Sequence, residues 1–409
     1  MVRRPQRGRN DTGVQMRILH TSDWHLGRSF GAVSLADDQQ AFITWMTAEA
    51  MSRNVDLVVI AGDIFDRAIA PTDAVVMFRE ALRTLQAAAI TVAVITGNHD
   101  GADRVFAYDD LLDRSGVYIR GGYSKIGEVI TLNFADGPLD LVMLPFLDPQ
   151  AAPDGLSEGA GEVTADATDR RRARTHQSVL AAAIAAATPS LFAPRSLAVS
   201  HAYVAGAAVS DSERQLTIGG TGTVDASLFD KFSYTALGHL HRPQTVGSRP
   251  TVRYSGTPLA YSFSEDHAKS IEIIDMAADG TCVVEPVAIP VGRPVLTVTG
   301  LIDELLRAEP SPEAKRSLVR AIITDPGVVL DAKQRLSALY PNVVEIVLSP
   351  PVVMRGDGET PLDRNTVTPS EAATLFWIDS TGDEPSAEQL EVLHAAIAKA
   401  AAEIELKAV

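Results

Sequence analysis

Val55-Asp-Leu-Val-Val-Ile-Ala-Gly-Asp-Ile-Phe-Asp66 is the stretch on which the reading of the fold turns. From Val55 to Ile60 it is almost unbroken apolar and rich in β-branched side chains, and Gly62-Asp63 ends it abruptly. Such a run predicts a strand buried on both faces, in a sheet covered by other layers. Ligands bind at the carboxyl ends of strands in sheets of that kind. Asp63 therefore stands first among the candidate functional residues, a carboxylate on a glycine hinge at that end.

Outward from this strand the pattern repeats. Met16 to Thr21 is a short strand running into Ser22-Asp-Trp-His-Leu-Gly27. Ser34 with Asp37 forms a capping-box pattern for a helix from about Leu35 to Arg53, with Phe42, Trp45 and Met46 on its buried face. Pro71 opens the next helix, where Val75, Phe78, Leu82 and Leu85 recur at helical spacing. Ile90 to Thr96 is a further buried strand, ending in Gly97-Asn-His-Asp100. Strand, helix, strand, helix, strand predicts parallel pairing with right-handed crossovers.

After Tyr108 the periodicity changes. Val129 to Phe134 and Leu139 to Phe146 alternate across Ala135-Asp-Gly-Pro138 and predict a hairpin. Asp148 to Thr168 has little apolar content and reads as a surface loop, followed by a helix from about Arg170 to Ala187. Leu197 to Ser200 is a strand ending in His201, and Tyr234 to Leu237 one ending in Gly238-His-Leu-His241. Val252 to Ser255, Ser270 to Asp275 and Cys282 to Val287 are expected to complete a second set of strands. The fold class is thus α/β, a two-sheet sandwich flanked by helices over residues 16–290. Residues 291–352 read as a small α/β unit, 353–365 as a linker and 366–409 as helical, with Leu390, Leu393, Ile397 and Ile404 along one stripe. No internal repeat is visible.

Composition bounds the function without choosing it. The 409 residues are 46% hydrophobic and 22% charged, an ordinary soluble balance with room for a large core. No apolar run approaches the roughly 20 residues of a membrane span. Residues 1–15 carry Arg3, Arg4, Arg7 and Arg9 with no apolar core behind them, so they read as a disordered extension or as preceding the true start, not as a secretory signal. A single cysteine, Cys282, excludes internal disulfides and fits a reducing compartment, the cytoplasm by default. The net charge of −16 argues against indiscriminate binding to phosphate backbones. Bound cations or local basic patches can still reverse the sign at a site.

Five strand ends deliver polar residues of metal-ligand type: Asp23 and His25, Asp63, Asn98 and His99, His201, then His239 and His241. Taken singly, a His is more often a hydrogen-bonded structural residue and an Asp after a strand more often a turn former. So many at successive strand ends are hard to explain by turns, because parallel strands bring those ends to one rim. Imidazole, carboxylate and one amide, without thiolate, suit divalent ions such as Mn²⁺, Fe²⁺ or Zn²⁺. Two ions sharing a carboxylate lower the pKa of water and stabilise charge on phosphorus, which is the chemistry of phosphate-ester hydrolysis.

Asp23-x-His25, Gly62-Asp63-x-x-Asp66, Gly97-Asn-His-Asp100 and Gly238-His-x-His241 together resemble the signature of calcineurin-like metallophosphoesterases. The longer strings His20-Thr-Ser-Asp-Trp-His-Leu-Gly-Arg28, Ala61-Gly-Asp-Ile-Phe-Asp66, Val204-Ala-Gly-Ala207, Ala236-Leu-Gly-His-Leu-His241 and Tyr254-Ser-Gly-Thr-Pro258 are similar to the SbcD family of bacterial nuclease subunits. That resemblance implies two divalent ions, Mn²⁺ first among them. Asp23, His25, Asp63 and His241 would hold one, Asp63, Asn98, His201 and His239 the other, and His99 would act on the leaving oxygen. Asp66 and Asp100 would support the histidines, while Trp24 and Phe65 read as core. It further implies cleavage of DNA ends and hairpins with an SbcC-type ATPase, in a heterotetramer of two subunits each. Residues 291–352 would then cap the site and the tail would bind the ATPase. A phosphoesterase of small molecules or phosphoproteins is the alternative.

Overall fold

The computed structural model describes residues 15–154, 156, 174–208, 222–350 and 368–407, without the side chains of 398 and 400–407. It divides into two units, Met1–Val295 and Leu296–Val409.

Two six-stranded sheets form the first unit. The strands of the first sheet begin with β1 (Met16–Thr21), and a short pair, β2 (Ser29–Phe30) and β3 (Val33–Ser34), follows outside it. β4 (Leu57–Ala61), β5 (Thr91–Ile95) and β6 (Val117–Arg120) continue the first sheet, each parallel to its neighbour. The second sheet takes β7 (Val129–Phe134), β8 (Gly137–Leu144) and β9 (Ser196–His201). A short pair, β10 (Tyr203–Val204) and β11 (Thr223–Val224), precedes β12 (Tyr234–Gly238), β13 (Gln244–Val246) and β14 (Arg249–Tyr254), which complete that sheet. Within it β8, β9, β12 and β14 are parallel.

Period-two alternation assigns the faces. Leu57, Val59 and Ala61 of β4 pack with Leu141, Leu197, Val199 and Ala236 in the core between the sheets. Val58 and Ile60 point the other way, onto Phe42 and Met46 of the helix Ala36–Ser52 and Phe78 and Leu85 of the helix Thr72–Ala87. On the far side of the second sheet, Val142 and Ala198 meet Val179, Leu180 and Ile184 of the helix His176–Ala187. Strands sandwiched this way need apolar residues on both faces, hence the unbroken run around Val58.

Four expectations are corrected. β15 (Ser270–Met276) and β16 (Cys282–Ala288) do not join the second sheet; β15 lies antiparallel to β1 and extends the first. Ser34 makes no capping box with Asp37, because its hydroxyl takes the Ala36 N–H at the very start of the helix. The helix ending at Ala187 starts at His176, where Thr175 and Ser178 cap each other reciprocally. Val75 is exposed, whereas Phe78 and Leu85 carry the contact with the sheet. The hairpin of β7 and β8 forms as expected, and Trp24 and Phe65 are buried core.

The second unit has its own sheet of β17 (Val295–Gly300), β18 (Leu318–Ile323) and β19 (Val343–Leu348). Its core joins Val319, Ala321 and Ile323 to Ile302, Leu305, Leu336 and Tyr340. The tail is two helices, Pro369–Thr381 and Ala387–Lys407, separated after Gly382 takes the left-handed conformation that ends the first. Leu390, Leu393 and Ile397 are half-buried along one stripe, and the Ile404 side chain lies outside the described residues, as do residues 353–365 and most of 148–168. No helix among the described residues is long and apolar enough to cross a membrane.

Candidate metal centre

The carboxyl ends of β1, β4 and β5 in one sheet and of β9 and β12 in the other meet at one rim. The loops after β1 and β4 are zipped together: Asp23 N–H donates to the Gly62 carbonyl at 3.0 Å, His25 N–H to Asp63 at 3.0 Å and Leu26 N–H to Ile64 at 2.9 Å. His201 joins the sheets by donating from Nδ1 to the Ala61 carbonyl at 2.9 Å. These contacts hold Asp23, His25 and Asp63 at φ of 54°, 44° and 47°, with His239 at 104°. Non-glycine residues pay roughly 1–3 kcal/mol each for such backbone, and it persists where the surroundings fix it.

All ten residues singled out from the sequence lie at this rim. Asp23, His25, Asp63, His201, His239 and His241 are buried, whereas Asn98, His99, Asp66 and Asp100 are partly exposed and mark the open side. Three groups bring donor atoms within 4.8 Å of one another: Asp23 with His25 and His241, His25 with Asp63 and His99, and Asp23 with Asp63 and His201. Asp23, His25 and Asp63 each belong to two of them, so the groups overlap in one cluster.

The donors fit divalent ions. Among the described residues, neither ring nitrogen of buried His25 has a hydrogen-bond partner. Leaving such a group unsatisfied costs about 1–3 kcal/mol, so the site is built for something that satisfies it. The proton that His201 gives to Ala61 sits on Nδ1, which makes Nε2 the lone-pair nitrogen, and this faces Asn98 Oδ1 at 3.0 Å. His239 Nδ1 approaches the same oxygen at 3.1 Å. The lone pair of His201 Nε2 set against that oxygen calls for a cation there. Burial, foremost, holds His25, His201 and His239 below their ordinary pKa, which keeps them as neutral imidazoles, the form that ligates metal.

The supporting residues differ from expectation in part. Among the described residues Asp100 bonds no histidine. Its carboxylate accepts the N–H groups of Ile64 (3.1 Å), Phe65 (2.9 Å) and Gly97 (2.8 Å), tying the β4 and β5 loops together. Asp66 supports through its backbone: its carbonyl takes the Nδ1 proton of His99 at 2.9 Å, while its carboxylate stays 3.9 Å from His25 Nδ1. His99 N–H in turn donates to Asp63 Oδ1 at 2.9 Å.

Sequence reasoning missed Glu265. It is buried and accepts from His241 Nδ1 at 3.0 Å, and from Thr257 (2.9 Å) and Lys269 (2.5 Å) as well. Burial alone would raise this carboxyl, but the His241 hydrogen bond and the Lys269 ammonium outweigh it and hold Glu265 well below the usual carboxylate range. A carboxylate on one ring nitrogen fixes the tautomer and aims the other at metal, a contact worth roughly 10–100-fold in affinity. Glu265→Gln is expected to weaken the ion bound by His241 by about that factor and spare the other, read as one shifted phase in a calorimetric metal titration. Two unshifted phases would show that the contact of Glu265 with His241 does not set metal affinity. Ser22 was missed too; its hydroxyl donates to Asp23 Oδ2 at 2.5 Å.

A family model described as calcineurin-like phosphoesterase matches residues 16–179, and one described as type 5 capsule protein repressor C-terminal domain matches 291–379. The chain is 36% identical over 287 residues to the SbcD subunit of the nuclease SbcCD from Bacillus subtilis, covering 69% of this chain and 71% of that protein. It is 26% identical over 334 residues to the corresponding SbcCD subunit of Staphylococcus epidermidis, covering 81% and 85%. Among solved structures, a dimetal phosphatase from Danio rerio aligns with a TM-score of 0.38 and 13% identity, over 67% of this chain and 98% of that one.

Proposed function

The chain belongs to the SbcD family of nuclease subunits, within the calcineurin-like phosphoesterases, and from that premise we propose that it cleaves DNA phosphodiesters as the nuclease subunit of an SbcCD-type complex. The observation that carries the reading is the rim itself, where carboxylates and imidazoles from two sheets bring candidate ligand atoms together.

We assign Asp23, His25, Asp63 and His241 to one ion and Asp63, Asn98, His201 and His239 to the other, with Asp63 shared. Mn²⁺ suits this mixture of imidazole, carboxylate and amide. Bound ions would supply Lewis acidity toward the phosphate and acidify the attacking water. The protein's own share is positional. Asp63 fixes the His99 backbone, and the Asp66 carbonyl holds the Nδ1 proton of His99, so Nε2 is the nitrogen left at the open side, and a second proton taken up there would be the one delivered to the departing oxygen, returning the ring to its neutral form. Residues 291–352 are proposed to position DNA, and the helices of 366–409 to bind an SbcC-type ATPase in a heterotetramer of two subunits each. Action on DNA ends in the 3′–5′ direction and on single strands and hairpins follows from the same family reading.

The test offers linear and hairpin DNA, beside a chromogenic phosphate ester, to the purified protein in Mn²⁺ with and without the ATPase. DNA cleavage by the complex is expected. His99→Ala should lose roughly 10²–10⁴-fold in rate while binding both ions. Intact DNA with fast turnover of the small ester would overturn the nuclease reading in favour of the alternative.

A further inference from the structure

Three arginines adjoin the site motifs, Arg28, Arg67 and Arg104, and their sequence contexts do not separate them. Their environments do. The Arg67 side chain is 66% exposed, with an ion pair to Asp66 of 3.8 Å. Arg104 is exposed on the short helix Ala102–Val105. Arg28 is only 20% exposed, its guanidinium 5.0 Å above the Tyr261 ring and its Nη1 3.3 Å from Asp66 Oδ1.

Both anchors of Arg28 are also anchors of the site. Tyr261 packs edge-on against His25 at 5.4 Å, and its hydroxyl donates to the Trp24 carbonyl. Asp66 holds His99 through its carbonyl. Arg28 itself closes the turn, its N–H donating to the His25 carbonyl at 3.0 Å. Of the five N–H donors of a guanidinium, one is engaged by Asp66 among the described residues.

A cation fixed beside donors meant for divalent ions opposes their binding, since like charges in a partly buried site repel strongly. An anion shared by all of them removes the conflict. A phosphate matches the planar fork of arginine, which makes two parallel bonds to it. We propose that Arg28 is a substrate-binding residue whose guanidinium holds a non-bridging oxygen of the phosphodiester on the His99 side of the site. The assignment rests on the phosphodiesterase reading above.

Full-length protein carrying Arg28→Gln, Arg28→Lys or Arg67→Gln separates the possibilities. Binding of a fluorescent phosphorothioate oligonucleotide is read by anisotropy, Mn²⁺ binding by calorimetry, and DNA cleavage as KM and kcat. Arg28→Gln should weaken oligonucleotide binding and raise KM by roughly tenfold, with kcat changed less than about threefold and Mn²⁺ affinity unchanged. Arg28→Lys should recover part of the loss, and Arg67→Gln should stay within about twofold of the wild type. Unchanged oligonucleotide binding by Arg28→Gln would overturn the proposal. So would joint loss of Mn²⁺ and DNA, which would make Arg28 a prop for His25 and Asp66. Failure of the wild type to cleave DNA would instead sink the phosphodiesterase reading, whatever the variants do.

Discussion

Asp63→Asn should empty both metal positions and cost the enzyme roughly 10³–10⁴-fold in rate, the equivalent of the several kcal/mol that paired ions contribute to a phosphoryl transition state. Asparagine is the informative replacement. It keeps the side-chain shape, and it tolerates the left-handed backbone of φ 47° better than alanine would. It also retains an oxygen for the His99 N–H, which Asp63 Oδ1 now accepts at 2.9 Å. What it removes is charge at a carboxylate that belongs to two groups of candidate donors. The variant should therefore fold. Without ions the native protein confines Asp63 close to Asp100, whose carboxyl is pushed up to about 7 by burial first and by the charge of Asp63 second. Relieving that repulsion should leave the metal-free variant at least as stable as the metal-free wild type. Stabilisation by added Mn²⁺, which follows from binding to the native state alone, should then vanish. The pair of thermal melts, with and without Mn²⁺, checks this. A variant still raised in Tm by Mn²⁺ as much as the wild type would refute the bridging role.

How far the sequence reaches can be seen residue by residue. The meeting of the candidate donors at one rim was legible because each follows an apolar strand, and parallel strands leave little choice about where their ends lie. Membership of β15 in the first sheet was not. Its pairing with β1 joins Met16 to Met276, residues far apart in the chain, and an alternating strand pattern carries no record of its neighbour. Glu265 was invisible for a related reason: Ser264-Glu-Asp-His267 reads as a polar surface loop until folding presses Glu265 onto His241. Ser34 with Asp37 matches a capping pattern, yet Ser34 satisfies the Ala36 N–H instead, because a short motif states a possibility and the surrounding chain decides it. The left-handed backbone at Asp23, His25, Asp63 and His239 is the least legible feature. No glycine occupies these positions; at Asp23, His25 and Asp63 inter-loop hydrogen bonds impose it, and these exist only once β1 and β4 lie side by side.

Those bonds also explain why a substitution that removes no donor should be nearly as damaging as Asp63→Asn. A Cβ at Gly97 would run into the Asp63 carboxylate, and would lie 2.5 Å from the Asp63 backbone nitrogen and 2.7 Å from its Cγ. Neither partner can retreat. The Asp63 carbonyl is held by His25 N–H at 3.0 Å, its Oδ1 by His99 N–H at 2.9 Å, and Gly97 N–H is fixed to Asp100 at 2.8 Å. Overpacking of this kind costs about 1–3 kcal/mol, which a large core absorbs without unfolding. The damage falls on geometry. Displacing a positioned group by about 1 Å can lose on the order of 10²-fold in rate, and here the displaced group is the carboxylate expected to serve both ions. Gly97→Ala should thus bind metal roughly 10–100-fold more weakly and cleave at least 10²-fold more slowly, while its far-ultraviolet circular dichroism matches the wild type. Gly327→Ala, where a Cβ meets nothing within 4 Å, should change neither quantity and serves as the control. Metal affinity of Gly97→Ala within about twofold of the wild type would mean that the β5 loop yields after all, and that the tight packing of Gly97 on Asp63 does not set the geometry of the centre.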